Sequence, residues 1–284
     1  MPTARLASAS GVIGGQLYVV GGIPVRGFTV TANESYDPAT NAWTTRAPAL
    51  TSRALAGAGV INGRLYVAGG WINGDSNSPS NQFEVYDPVT NAWSTGPALP
   101  TARGGVASGV INGKLYVVGG DAGGTDFTLL SIYDPGTGTW TTGAPMPTAR
   151  YATASAVING VLYVVGGVNS GGTLTTLEAY DPTTDTWTTK SSIPTTQRFF
   201  SGAAAIDGVL YVFGGEGGSG IVNTVAAYSP VSDSWTTVAP MPTARKAAVG
   251  GVIDGTLYAV GGQTTSSIVG TNEAFIPHRS AHSR

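Results

Sequence analysis

Residues 107–140 read ASGVINGKLYVVGGDAGGTDFTLLSIYDPGTGTW, and this stretch holds one whole structural unit. A run of small and β-branched residues (107–111) meets Asn112-Gly113, which suits a type I′ hairpin because both central residues must take positive φ. Leu115-Tyr116-Val117-Val118 follows, apolar enough for a strand buried on both faces, and stops at Gly119-Gly120. A loop leads to a third strand ending Tyr133-Asp134-Pro135, and Trp140, seven residues after the Tyr, marks a fourth. No 3.6-residue period is sustained, so helix is expected to be nearly absent.

Outward from this stretch the same order returns along the whole chain. Glycine pairs close an apolar run at Gly21-Gly22, Gly69-Gly70, Gly119-Gly120, Gly166-Gly167, Gly214-Gly215 and Gly261-Gly262, in steps of 48, 50, 47, 48 and 47 residues. The turn recurs as Gly14-Gly15, Asn62-Gly63, Asn159-Gly160, Asp207-Gly208 and Asp254-Gly255, and Trp43, Trp93, Trp187 and Trp235 repeat the seven-residue offset from a Tyr. Six units, at about 1–48, 49–98, 99–145, 146–193, 194–240 and 241–284, fill the 284 residues as one domain without a linker. So many short antiparallel strands would not stay in one open sheet, whereas four-stranded sheets set radially leave only short outer edges. The pattern predicts an all-β, six-bladed β-propeller. Its Ala-, Gly- and Ser-rich first strands would crowd the axis, and Tyr and Trp would fill the widening wedges between blades.

Composition agrees and excludes several classes. Gly (42) and Pro (17) are plentiful, charged residues make up only 11 %, and 42 % of the chain is hydrophobic, which is too apolar for a disordered chain. A formal charge of −2 argues against a nucleic-acid or anionic-membrane binder driven by bulk charge. The absence of Cys removes disulfides and thiolate chemistry, and no apolar run approaches the ~20 residues of a membrane helix. Pro2-Thr3-Ala4-Arg5 already belongs to the repeat, so no secretory signal is read; low Lys and plentiful Thr lean towards an exported protein, and the compartment stays open.

The glycine pair, the Tyr-Asp-Pro, the Trp seven residues on and the Met-Pro-Thr-Ala-Arg of 146–150 and 241–245 together resemble kelch repeats, over residues 1–277. The sixth unit departs from the pattern: Phe275-Ile276-Pro277 replaces Tyr-Asp-Pro, and His282 falls at the Trp position. The outer strand of the sixth blade is therefore expected to be weak or missing, with closure resting on strand contacts; the alternative is a preceding outer strand that has been cut away.

Antiparallel strands put the loops 23–31, 71–81, 121–127, 168–174, 216–223 and 263–271 on one face and the near-identical tight turns on the other. Binding residues sit disproportionately on variable loops of a rigid scaffold, so the first face is the expected ligand face. Arg5, Arg53, Arg103, Arg150, Arg198 and Arg245 repeat there in step with the glycine pairs. Two readings stay open: an electropositive channel mouth for carboxylates or phosphates, or an architectural bond needed by every blade. The resemblance implies that arginines at this place can contact acidic partner peptides, which makes Arg103, Arg150, Arg198 and Arg245 candidates.

Function is expected where the repeat is broken. The residue after each ring Arg is in turn Leu6, Ala54, Gly104, Tyr151, Phe199 and Lys246, and the residue after each glycine pair is Ile23, Trp71, Asp121, Val168, Glu216 and Gln263. Trp71, Tyr151, Phe199 and Lys246 are the candidate anchors, with Asp121 and Glu216 as the acidic members of the set. Trp71, the one Trp outside the outer-strand pattern, would stack on a sugar, anchor a peptide, or fold over its own loop or a neighbouring blade.

Catalytic signatures are sparse. The two histidines, His278 and His282, lie in the tail, so neither a Ser-His-Asp triad nor a His-based metal site is expected on this face, and no metal or other cofactor is called for. Asn73-Gly74-Asp75-Ser76-Asn77 lacks the alternating acids of a calcium loop. Gly215-Glu216-Gly217 resembles a segment of the kelch-type sialic-acid mutarotases that carries an acid/base Glu, but their partner Arg would fall at Val222. The expectation is a non-catalytic, monomeric propeller that binds a protein or an acidic peptide, without nucleic acid or membrane. The alternatives are a carbohydrate-binding module and a mutarotase-like enzyme using Glu216.

Overall fold

The computed structural model describes residues 1–25, 27–194 and 198–277. It is a six-bladed β-propeller. The third blade runs Ala107–Ile111, Lys114–Val118, Leu130–Asp134 and Thr139–Gly143, each strand antiparallel to the next, and four other blades share that order. The sixth has Val249–Ile253, Thr256–Val260 and Asn272–Phe275; its outer-strand positions, His282 included, lie outside the described residues. No α-helix occurs among the described residues, only a short 3₁₀ turn at Ile72–Gly74.

Each inner strand packs against its two neighbours around the axis, and the first meets the sixth. Small side chains make this approach possible. A Cβ on Gly59 would lie 2.4 Å from Val110 Cγ2 of the next blade. The hairpins take the expected conformation, with φ of 49° at Asn62 and 74° at Gly63.

The core is a series of wedges between blades rather than a single centre. In each of the first five blades the Tyr of the third strand faces the Trp of the outer strand, as Tyr133 faces Trp140 with ring centroids 5.2 Å apart. The indole N–H then reaches back to the preceding blade. Trp93 donates to the Ala47 carbonyl, Trp140 to Pro97, Trp187 to Ala144 and Trp235 to Ser191, at 2.7–2.9 Å. The seven-residue offset is thus the geometry of a seam: Tyr-Asp-Pro turns the corner, and Trp closes the wedge.

Two closed rings of backbone hydrogen bonds run around the loop face. In the first, the amides of Ala7, Leu55, Gly105, Ala152, Phe200 and Ala247 each donate to the corresponding carbonyl of the preceding blade, at 2.7–2.9 Å. All six residues have φ between 50° and 68°, a left-handed conformation that five non-glycine residues hold because both neighbours fix it. In the second, the second glycine of each pair donates to the carbonyl of the following blade's ring arginine, from Gly22 to Arg53 at 2.8 Å around to Gly262 to Arg5 at 3.0 Å. The first glycine of the pair faces that same carbonyl: a Cβ on Gly214 would meet the Arg245 oxygen at 2.3 Å. Glycine pairs and arginines keep identical steps because they touch in consecutive blades.

Candidate functional site

The ring arginines point inward. Arg103, Arg150 and Arg245 are 0 % exposed and Arg198 2 %, each running beneath the loops of its own blade. Arg150 donates to the Val164 and Thr176 carbonyls and pairs with Glu178 at 2.8 Å; Arg5, Arg53 and Arg245 pair likewise with Glu34, Glu84 and Glu273. The third and fifth blades have Ser131 and Ala226 where the other four place that Glu. Arg103 donates to the carbonyls of Gly119, Thr101 and Val117 and to Ser131 Oγ, and burial pulls its pKa down to about 10. These guanidiniums lie in the wall of the propeller and not at its mouth. The physical reason is that backbone carbonyls converge on them within each blade, joined in four of the six by a third-strand carboxylate.

The two series of pattern-breaking residues prove to be one. Leu6 pairs across a short antiparallel bridge with Ile23, Ala54 with Trp71, Gly104 with Asp121, Tyr151 with Val168, Phe199 with Glu216, and Lys246 with Gln263. Each blade therefore presents one cross-strand pair beside the axis. Inside them, the ring residues and their successors enclose an axial cavity of about 120 Å³, lined by residues of all six blades, Ser8, Thr153, Phe200 and Ser201 among them.

Trp71 is buried. Its indole lies over Gly104 of the next blade, donates to the Asp121 carbonyl at 3.2 Å, and packs against Tyr151 with ring centroids 5.8 Å apart. Gly104 and Gly105 make room for it. A Cβ on Gly104 would meet Trp71 Cδ1 at 2.4 Å, and one on Gly105 would meet Tyr151 Cβ at 3.0 Å. Asp121 is 2 % exposed with no hydrogen bond to its Oδ2, and burial, followed by repulsion from Asp126, raises its pKa.

Tyr151, Phe199, Glu216 and Lys246 stay partly exposed and form an arc over blades four to six. The Lys246 ammonium is ion-paired to the Glu216 carboxylate across the blade boundary, and Phe199 packs on Phe200 with ring centroids 5.1 Å apart. The arc is therefore aromatic at one end and zwitterionic at the other. Val25 and Phe28, 72 % and 71 % exposed, add an apolar tip on the first blade's loop. Their signal was present in the sequence, as apolar residues in a loop without an architectural counterpart. Among the described residues no group of three His, Asp or Glu side chains is arranged to hold a metal ion.

Comparison with known proteins places the chain. A family model described as the KLHDC2/KLHL20/DRC7 Kelch-repeats domain matches residues 57–262, nearly three quarters of the chain, and a Kelch motif model matches residues 4–49. No curated protein matches. Among solved structures, one described as Structure of YjhT superposes with a TM-score of 0.85 at 18 % identity, covering 99 % of this chain and 97 % of that one, a likeness of fold alone.

Proposed function

The chain belongs to the kelch-repeat family, and from that premise we propose that it is a non-catalytic propeller that grips a protein or peptide on its variable-loop face. The observation that carries the reading is the arc of Tyr151, Phe199, Glu216 and Lys246 around the axial cavity, where a regular frame presents irregular side chains. Aromatic anchors ringed by polar groups are the usual make-up of a binding hot spot. The Lys246–Glu216 pair can exchange its internal partner for a carboxylate or an amine of the ligand. Arg103, Arg150, Arg198 and Arg245 serve this reading by holding the loops from beneath, and Trp71 and Asp121 by fixing the loops of blades two and three.

Peptides selected from a random display library against the folded chain test the proposal. Phe199→Ala, Tyr151→Ala and Lys246→Ala are each expected to weaken the best binder at least tenfold, while Val89→Ala and Val231→Ala on the tight-turn face leave it unchanged. The reverse pattern sinks the proposal. A thermal shift with a neutral sugar or a sialic acid, lost in Tyr151→Ala, would move the reading to carbohydrate; turnover of that sugar abolished in Glu216→Gln would move it to an enzyme.

A further inference from the structure

The third blade's loop folds into a hairpin that sets two carboxylates face to face. Asp121–Ala122 pairs with Thr125–Asp126 across Gly123 and Gly124, whose φ of 61° and 84° suit a two-residue turn. The Phe127 amide bonds to the Gly120 carbonyl just beyond, so Asp121 and Asp126 form a non-hydrogen-bonded pair. Side chains of such a pair share one face with β-carbons about 4.5–5.5 Å apart, and like charges there are destabilising. The counterpart pairs of other blades are Trp71 with Pro79, Val168 with Thr173, Glu216 with Ile221 and Gln263 with Ile268, none with two charges.

Asp121 is buried with no hydrogen bond to its Oδ2, whereas Asp126 is partly exposed. No cation answers them among the described residues. The Tyr151 phenol on the fourth blade, its pKa raised by burial and then by Asp121 and Asp126, faces both carboxylates. Arg103, on the adjoining segment, is turned onto carbonyls and Ser131, and Asp75 on the second blade's loop is exposed and bonded to Asn77. Burial, then Asp126, raises the Asp121 pKa, and the Gly124 and Ala122 amides that bond to its carboxylate do not reverse the balance. The same hairpin ties three loops together. The Gly123 amide donates to the Ser76 carbonyl of the second blade at 2.8 Å, the Ser170 amide of the fourth to Asp126 at 3.0 Å, and the Trp71 indole to the Asp121 carbonyl at 3.2 Å.

We propose that Asp121 and Asp126 hold one proton between them and form a pH-sensitive clasp on the loop face. In the closed form Asp121 Oδ2 carries the proton and donates it to an Asp126 oxygen, which gives the buried oxygen the partner it lacks. Loss of the proton leaves two facing carboxylates. Asp126, nearer to solvent, then turns outward, and the hairpin gives up its bonds to Ser170 and Ser76. A carboxyl with a raised folded pKa stabilises the fold while it holds its proton and loses that contribution as pH rises through the folded value. The clasp is therefore closed on the acid side. Because Tyr151 stands beside it, the clasp regulates the peptide site proposed above and rests on that reading: the closed form holds Tyr151 in one geometry and binds more tightly.

Measurements on the full chain between about pH 4 and pH 8 test the proposal. The carboxyl carbon chemical shifts of Asp121 and Asp126 should titrate together, as a coupled pair does. Once the proton is lost, the Gly123 and Ser170 amides, corrected for intrinsic rate, should exchange at least tenfold faster. Asp121→Asn keeps a donor at this place without titrating, so both amides should stay protected across the range, and Asp126→Asn should behave alike. Carboxyls that titrate independently, flat amide protection in the parent, or the same change in Asp121→Asn overturns the clasp. So does protection that follows added calcium rather than pH, since a metal ion then neutralises the pair. Binding is read separately, with the best display-selected peptide: its affinity should fall as the clasp opens in the parent and hold in Asp121→Asn. Constant affinity of a Tyr151-dependent peptide while the amides titrate overturns the regulatory role. If no peptide depends on Tyr151, the binding reading fails, and the amides alone decide the clasp.

Discussion

The amide of Ala7 donates to the carbonyl of Ala247 at 2.9 Å, joining the first blade to the sixth in the same bond that links every other pair of neighbours. Ala7 holds φ at 57° to do so. Proline has no amide hydrogen and a φ fixed near −65°, so Ala7→Pro removes both the donor and the conformation. The expected loss is at least about 3 kcal/mol, read by chemical denaturation, with Ala7→Gly as a control that keeps the amide and stays close to the parent. Equal midpoints for the two variants would show that closure does not depend on this ring.

Glu178 is the partner of a fully buried guanidinium. Removing it in Glu178→Ala leaves Arg150 charged and short of acceptors, since its Nε has none, and should cost about 3–5 kcal/mol. Ser131→Glu is the converse. It puts a carboxylate in the register that Glu34, Glu84 and Glu178 occupy, beside an Arg103 that now has none, and should stabilise the fold by about 1–2 kcal/mol. Urea midpoints of both variants decide whether the carboxylate matters or the carbonyls suffice.

Acid stability should depend on the corner aspartates. Asp185 accepts the Ala144 amide at 2.7 Å and the Tyr180 hydroxyl at 2.7 Å, and those bonds, the amide's first, lower its pKa. A carboxylate with a depressed folded pKa contributes stability above its unfolded value and loses it as pH falls through the folded one. Blades one and two use Asn41 and Asn91 at this corner with the same bond to Tyr36 and Tyr86. Asp185→Asn is therefore expected to keep the fold near pH 7 and to flatten the fall in Tm below pH 4. An unchanged acid limb would place the titrating group elsewhere.

Trp71 and Gly104 should behave as a coupled pair. Trp71→Ala empties a buried site and should cost about 3–5 kcal/mol. Gly104→Ala alone drives a methyl into the indole, but in the Trp71→Ala background that clash is gone and the second substitution should cost far less. A double-mutant cycle showing simple additivity would mean the indole does not lie over Gly104.

The propeller was legible because Asn112-Gly113, Gly119-Gly120, Tyr133 and Trp140 each carry a local constraint, and repetition multiplies weak signals into a strong one. The expectation of a weak or missing sixth outer strand, drawn from Phe275 standing where Tyr recurs, falls on residues outside those the structure describes. The destination of the arginines was not legible. Arg150 lies on the loop entering the fourth blade and Glu178 on that blade's third strand, and nothing local to either says that the guanidinium turns inward. Trp71 was marked by its lack of a counterpart, but its burial depends on two glycines in the next blade, and Gly104-Gly105 reads as a mere flexible step until the indole is placed over it. Phe28 and Val25 were passed over although they meet the criterion that singled out Trp71.

The two backbone rings circulate in opposite directions. In the ring through Ala7 every N–H points to the preceding blade; in the ring through Gly22 every N–H points to the following one. In the ring through Ala7 each residue both donates and accepts, so its peptide dipoles run head to tail around a closed circuit and leave no free ends, and so no terminal partial charge of the kind a helix presents. The collar at the channel mouth is thus electrically quiet. A visiting molecule there feels the fields of Glu216, Lys246 and the other loop side chains, so its charge preference can be rewritten by substitutions that never touch the frame.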